Sequence, residues 1–167
     1  MAKGETMNWP AYFLNMVELV ASKSKDRSTK VGAVIVGPDL EVRSTGYNGF
    51  PRSVDDEIEV RHYRPAKYLW TEHAERNAIY NAARMGTSLK GCTLYLMYGP
   101  CPCADCARAV IQAGIIRIVV PANRPFPGKG GQWEENFRVA KEMLHEASVT
   151  IWEYNVEKAD MIVVKPA

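Results

Sequence analysis

His73-Ala74-Glu75 and, about thirty residues later, Pro102-Cys103-Ala104-Asp105-Cys106 are the two stretches around which the chain reads. Cys103 and Cys106 are three apart, so in the first turn of a helix they share one face. His73 opens a helix expected over Thr71–Met85, with Glu75 two residues further in. Two thiolates and one imidazole make three protein ligands. Structural zinc sites usually close with four, whereas catalytic sites keep the fourth position for water. The pattern therefore predicts zinc on His73, Cys103 and Cys106, with an open position and the Glu75 carboxylate beside it. Two helix N-termini would help keep the thiolates charged. A Cys-x-x-Cys alone would equally suit a redox pair or a structural zinc knuckle. The upstream His-x-Glu is what tells against both.

Outward from these motifs, strands and helices alternate. Asn8-Trp9-Pro10 is a helix start, with Asn8 as N-cap and Pro10 in the first turn, and Phe13, Met16, Val17 and Val20 recur at helical spacing. Ser24 to Lys30 is a polar loop. Val31–Val36 is an apolar, β-branched run that reads as a buried strand, and Gly37-Pro38-Asp39 turns it into a second strand over Glu41–Tyr47. Ser53 to Lys67 is a long polar connection, of the kind that is functional or disordered. Its His62 reads as a surface histidine. The helix at Thr71–Met85 stops at Gly86, and Ala78, Ile79, Ala82 and Ala83 give it a small-residue face for close packing. Strands follow at Thr93–Met97, Arg117–Val120 and Val149–Tyr154, separated by helices at Ala104–Ala113 and Trp133–Ala147. Ala122–Gln132 is a Pro/Gly-rich loop, and Met161–Val164 is a short terminal strand or tail. Such an order predicts an α/β fold with right-handed parallel crossovers. The expected architecture is a three-layer α/β/α domain, a five-stranded mixed sheet with helices on both faces.

The bulk composition limits the partners. The chain has 167 residues, enough for one domain with a sizeable core, and a net charge of +2, too small for a nucleic-acid footprint without a localised patch. No nucleic-acid partner is expected. No apolar run is long enough to span a bilayer, and Met1 to Thr6 lacks the apolar core of a signal peptide. Three of the four cysteines fall at 101, 103 and 106, which is metal spacing rather than a secreted disulfide framework. A cytoplasmic setting follows as the expectation.

His-x-Glu followed by Pro-Cys-x-x-Cys is the signature of zinc-dependent nucleobase deaminases. Further stretches narrow the likeness: Ser24-Lys25-Asp26 before Lys30-Val31-Gly32-Ala33-Val34-Ile35-Val36, Gly46-Tyr47-Asn48-Gly49-Phe50-Pro51, His73 to Ile79, and Ile111-Gln112-Ala113-Gly114-Ile115. With these, the chain resembles the deoxycytidylate (dCMP) deaminase family of the cytidine deaminase superfamily, over about residues 8 to 120. It departs from the family in an extra Pro100-Cys101 and in the 121–131 segment. The spacing leaves Cys101 as a bystander.

The resemblance implies a single zinc-dependent deaminase domain over 1–167, with 155–167 as a C-terminal tail. It implies hydrolytic deamination of dCMP to dUMP and ammonia, with Glu75 as the proton carrier. It implies a homo-oligomer, often a hexamer, acting on a small nucleotide. It also implies that Asn48 hydrogen-bonds the sugar hydroxyl, against which stands a plain turn asparagine. Lys25, Arg27, Lys30 and Arg52 are the candidate phosphate-binding cations, each of which also reads as solvated loop charge. Two enzyme rivals stay open: deamination of another amino-heterocycle, such as a modified cytidylate or a purine, and deamination of a base in single-stranded nucleic acid. A non-enzymatic rival, a zinc-stabilised binding module, requires Glu75 to be incidental.

Overall fold

The computed structural model describes residues 6–128 and 131–164. Expectations that fall on residues 1–5, on Lys129 and Gly130 and on 165–167 lie outside them. The first helix, α1, spans Trp9–Ala21; the Asn8 side chain accepts the Ala11 N–H at 3.0 Å, and Pro10 sits in the first turn. Strands β1 (Gly32–Val36) and β2 (Val42–Tyr47) form an antiparallel hairpin. A 3-10 turn at Glu59–His62 and the short helix α2 (Lys67–Trp70) give structure to the expected long loop. Then come α3 (Ala74–Met85), β3 (Thr93–Leu96), α4 (Ala104–Gln112), β4 (Arg117–Pro121), α5 (Gly131–Glu146) and β5 (Thr150–Asn155).

The sheet has six strands, not the expected five, in the order β2-β1-β3-β4-β5-β6. The added strand, β6, is Asp160–Val163, which pairs antiparallel with β5 through Trp152↔Val163 and Tyr154↔Met161. Part of the expected tail is thus an edge strand. Its pattern is weak because Ile162 and Val163 are exposed and only Met161 and Val164 pack inward, so no apolar alternation announces it. The parallel pairs β3–β4 and β4–β5 are joined by helical crossovers, as the alternation requires.

β1 explains the layering. Ala33 and Ile35 face one side, with α3, α4 and α5; Val34 and Val36 face the other, with α1. Both faces are covered, so the strand is apolar at every position. Phe13 is fully buried on the α1 side, worth about 1.5–3 kcal/mol for such a side chain.

The seating of α3 on β2 matters most for function. Ala74, Ala78 and Ala82 are buried, whereas Ala83 is exposed. A Cβ on Gly46 would lie 2.3 Å from both Ala74 O and Ala78 N, so only glycine lets the helix come this close. Asn77 and Asn81 donate to the Tyr47 and Thr45 carbonyls at 2.8 and 2.7 Å, and Ser44 donates to Ala78 O at 2.6 Å. Gly49 and Glu72 exchange backbone hydrogen bonds of 2.8 and 3.1 Å just before the helix. The first turn of α3 is thereby fixed against the end of β2. Gly86, at φ 69°, closes its far end.

Candidate active site

His73 is the N-cap of α3 and Cys103 the N-cap of α4. Both helices point their N-termini into one place beside the sheet, so their dipoles favour negative charge there. Cys106 stands in the first turn of α4 and is fully buried. His73 Nδ1 lies 3.4 Å from Cys103 Sγ and 3.5 Å from Cys106 Sγ. The three donor atoms fall within 4.8 Å of one another. Two ligands at ordinary zinc–sulfur and zinc–nitrogen distances around a tetrahedral ion stand about 3.5 Å apart. The donor set and its spacing fit zinc.

The charges agree. Cys103 is drawn down to about 4, chiefly by the hydrogen bond from Cys106 and then by His73, so it is a thiolate. Its own bond raises His73 to about 9, and the bond to Cys103, with burial, pushes Cys106 up. The cluster is thus a Cys103 thiolate bonded to His73 and Cys106, whose protons a metal would displace. Glu75, in the first turn of α3, is buried, and desolvation raises its carboxyl above the usual range. Cys101 is also buried, but burial holds its thiol up at about 12, and its sulfur lies 3.7 Å from Phe137 O rather than in the donor cluster. It lies outside the donor cluster, although it lines the same cavity as Cys103.

His73, Glu75 and Cys103 line a cavity of about 580 Å³. One wall is polar: Asp26, Ser28, Thr29, Asn48, Arg64 and Lys67. The other is aromatic: Tyr98, Phe126, Trp133 and Phe137. Phe126 packs against Trp133 at a centroid distance of 4.8 Å and edge-on to Tyr98 and Phe137. The 121–131 segment therefore supplies part of this wall.

Asn48 lines the cavity and is buried, but most of its amide is engaged. Its Oδ1 accepts the Val31 N–H at 2.7 Å; its Nδ2 donates to Thr29 O at 2.8 Å and Asp26 Oδ2 at 3.3 Å. One Oδ1 lone pair is left for a ligand. The hub of this wall is Asp26. It accepts from Ser28 N, Thr29 N and Ser28 Oγ, and pairs with Lys67 Nζ at 2.7 Å. Burial would raise its carboxyl, but the Lys67 bond and the loop N–H groups outweigh that and hold it low.

The four candidate phosphate cations lie elsewhere. Lys25 pairs with Asp56 at 2.7 Å, Arg27 with Glu59 at 2.5 Å, and Arg52 donates to Asn81 at 2.6 Å. None of these, nor the exposed Lys30, lines the cavity. Apart from the metal donor His73, the cavity's basic side chains among the described residues are Arg64 and Lys67, both from the stretch read as a loop. His62, too, is half-buried there, stacked on Phe50 and bonded to Asp56 O at 2.7 Å. Sequence reasoning passed over Asp26, Arg64, Lys67 and the aromatic wall. The signal for the wall was the run of Phe126, Trp133 and Phe137 around a Pro/Gly-rich turn. For the Asp26–Lys67 pair, 41 residues apart, no local signal exists.

The family described as "cytidine and deoxycytidylate deaminase zinc-binding region" matches residues 7–122. An uncharacterized deaminase of Aliivibrio fischeri is 40% identical over 144 residues, which are 86% of this chain and 91% of the relative. The deoxycytidylate deaminase of Homo sapiens is 34% identical over 73% of this chain and 69% of its own length. A dCMP deaminase from the cyanophage S-TIM5, solved with dCMP and dUMP, superposes with a TM-score of 0.64 at 23% identity, over 83% of this chain and 95% of that one. That likeness establishes a shared fold. The donor cluster lies inside the matched region, and the chain belongs to the zinc-binding cytidine and deoxycytidylate deaminase family.

Proposed function

We propose that the chain deaminates dCMP to dUMP and ammonia, with zinc held by His73, Cys103 and Cys106. The observation that carries this is a cluster of three zinc-compatible donors, two of which, His73 and Cys103, line one cavity together with the buried Glu75 carboxyl. The relatives named deoxycytidylate deaminase support the choice of substrate. When bound, zinc supplies a Lewis acid that brings the pKa of a water molecule toward neutrality. Glu75 takes a proton from the attacking water and delivers it to N3 of the cytosine, then carries the remaining proton of the added hydroxyl to the amine leaving C4. Water adds at C4, the C4–N bond breaks, and the carbonyl of uracil remains. Asn48 offers its remaining Oδ1 lone pair to the sugar hydroxyl and holds the Thr29–Val31 backbone in place. The aromatic wall supplies flat, dry surface for a base.

The domain would act as a homo-oligomer in the cytoplasm. No described helix is long and apolar enough to cross a membrane. The test is a panel of amino-bearing nucleosides, nucleotides and oligonucleotides assayed for ammonia release with zinc-loaded protein. Release from dCMP above all others is expected. Release from a purine or a modified cytidylate alone would transfer the site to another heterocycle.

A further inference from the structure

A nucleotide substrate brings a phosphate dianion to a cavity whose wall must supply a cation or several N–H donors. Among the described residues, and apart from the metal donor His73, two basic side chains line the cavity, and they differ in what they already hold. Lys67 is buried and committed: its ammonium bonds both oxygens of Asp26, at 2.7 and 3.0 Å, and Ser28 Oγ at 2.6 Å. Those bonds use all three of its protons. Its charge is matched by the carboxylate that orders the 26–29 loop.

Arg64 is different. Its side chain is exposed, so it stands where the cavity meets solvent. Its Nε donates to Tyr68 Oη at 2.9 Å, and the guanidinium lies 5.9 Å from the centre of the Tyr68 ring. Tyr68 lines the same cavity from α2. Among the described residues no carboxylate lies within 4.0 Å of Arg64, and its two terminal nitrogens make no hydrogen bond. The Nε bond thus aims the guanidinium and leaves the fork that suits two phosphate oxygens.

We infer that Arg64 receives the 5′-phosphate of the substrate and so sets the preference for nucleotide over nucleoside. This rests on the deaminase reading above and replaces Lys25, Arg27, Lys30 and Arg52 in that role. Exposure suits it, because the phosphate is the part of the nucleotide that remains nearest to water. The base end is enclosed by Glu75 and the metal donors.

The test is kcat/KM for dCMP divided by kcat/KM for deoxycytidine, in the wild type, Arg64→Ala, Arg64→Lys and Arg52→Ala. Losing a charge-assisted contact should lower that ratio about tenfold to a hundredfold in Arg64→Ala. Arg64→Lys keeps the charge without the fork and should fall between. Arg52→Ala, off the cavity, should keep the wild-type ratio. Calorimetric binding of dUMP against deoxyuridine reads the same preference without turnover. A wild-type ratio in Arg64→Ala, or the loss appearing in Arg52→Ala instead, overturns the assignment. A wild type that treats dCMP and deoxycytidine alike overturns it too, while the deaminase reading stands. If neither compound is turned over, the deaminase reading falls, and Arg64 falls with it only if dUMP binding is indifferent to Arg64→Ala.

Discussion

The floor and the rim of the cavity are built by different rules. The floor is two helix N-termini: His73 with Glu75 on one, Cys103 with Cys106 on the other. Each pair is local in sequence, and the sheet needs only to bring two helices side by side. The rim is made mostly of pairings between separate segments, Asp26 with Lys67 and Asn48 with Thr29 and Val31, joined by the more local aromatic cluster of Phe126, Trp133 and Phe137. The floor carries the chemistry, and the rim carries the choice of what is brought to it. The difference teaches that these two properties should separate under mutation.

The largest effects should come from the floor. Cys103→Ser or Cys106→Ser should lose zinc and all measurable deamination, whereas Cys101→Ser and Cys92→Ser should keep both. Metal analysis of the purified variants decides it; a Cys101→Ser protein without zinc, beside a Cys103→Ser protein with it, would put the metal on the wrong pair. Next, Glu75→Gln should keep zinc and the fold while kcat drops about 10²–10⁴-fold, the usual weight of a positioned proton carrier. Near-normal turnover in that variant would leave the floor without its acid–base group.

The rim should answer in stability and specificity rather than in the chemical step. Lys67→Met leaves the Asp26 carboxylate buried without its partner; breaking a buried pair in this way costs about 3–5 kcal/mol. Denaturant unfolding reads that loss. A stability unchanged by the substitution would make the pair incidental to the rim.

The same pair has a pH signature. The Asp26 carboxyl is held below its usual 3.8, so its charge stabilises the folded state fully above that pH and the benefit fades as pH falls below it. Asp26→Asn should therefore be less stable than the wild type at neutral pH, and the gap in Tm should shrink in acid. A gap that widens in acid would reverse the sign and contradict the hydrogen bonding at Asp26. Smallest of all should be Lys25→Ala and Arg27→Ala. Their partners are exposed ion pairs at the surface, which contribute little, so kcat/KM for dCMP should stay within about twofold.

This contrast also marks what could be read from the sequence. Spacing is enough to bring His73, Glu75, Cys103 and Cys106 together, because a helical turn is a local rule. Hydrophobic runs suffice for β1 and for the helix–strand alternation. The sixth strand reads only as strand or tail, because an exposed edge strand needs no apolar alternation, and Ile162 and Val163 stay in water. The cations of the 24–30 loop draw attention by lying inside a family motif, yet Lys25 and Arg27 turn to Asp56 and Glu59. Those partners sit about thirty residues away in the segment read as unstructured. Charge pairing at that separation follows the tertiary fold and not the local sequence. Arg64 and Lys67 were hidden for the same reason.

The central claim is that this floor turns dCMP into dUMP by means of zinc. Its most direct test is the initial rate of dUMP and ammonia formation from dCMP in protein carrying graded amounts of zinc. The rate should rise in proportion to zinc up to one ion per chain, with one ammonia released per dUMP. A fully zinc-loaded protein that leaves dCMP untouched, or a rate indifferent to zinc, would contradict it.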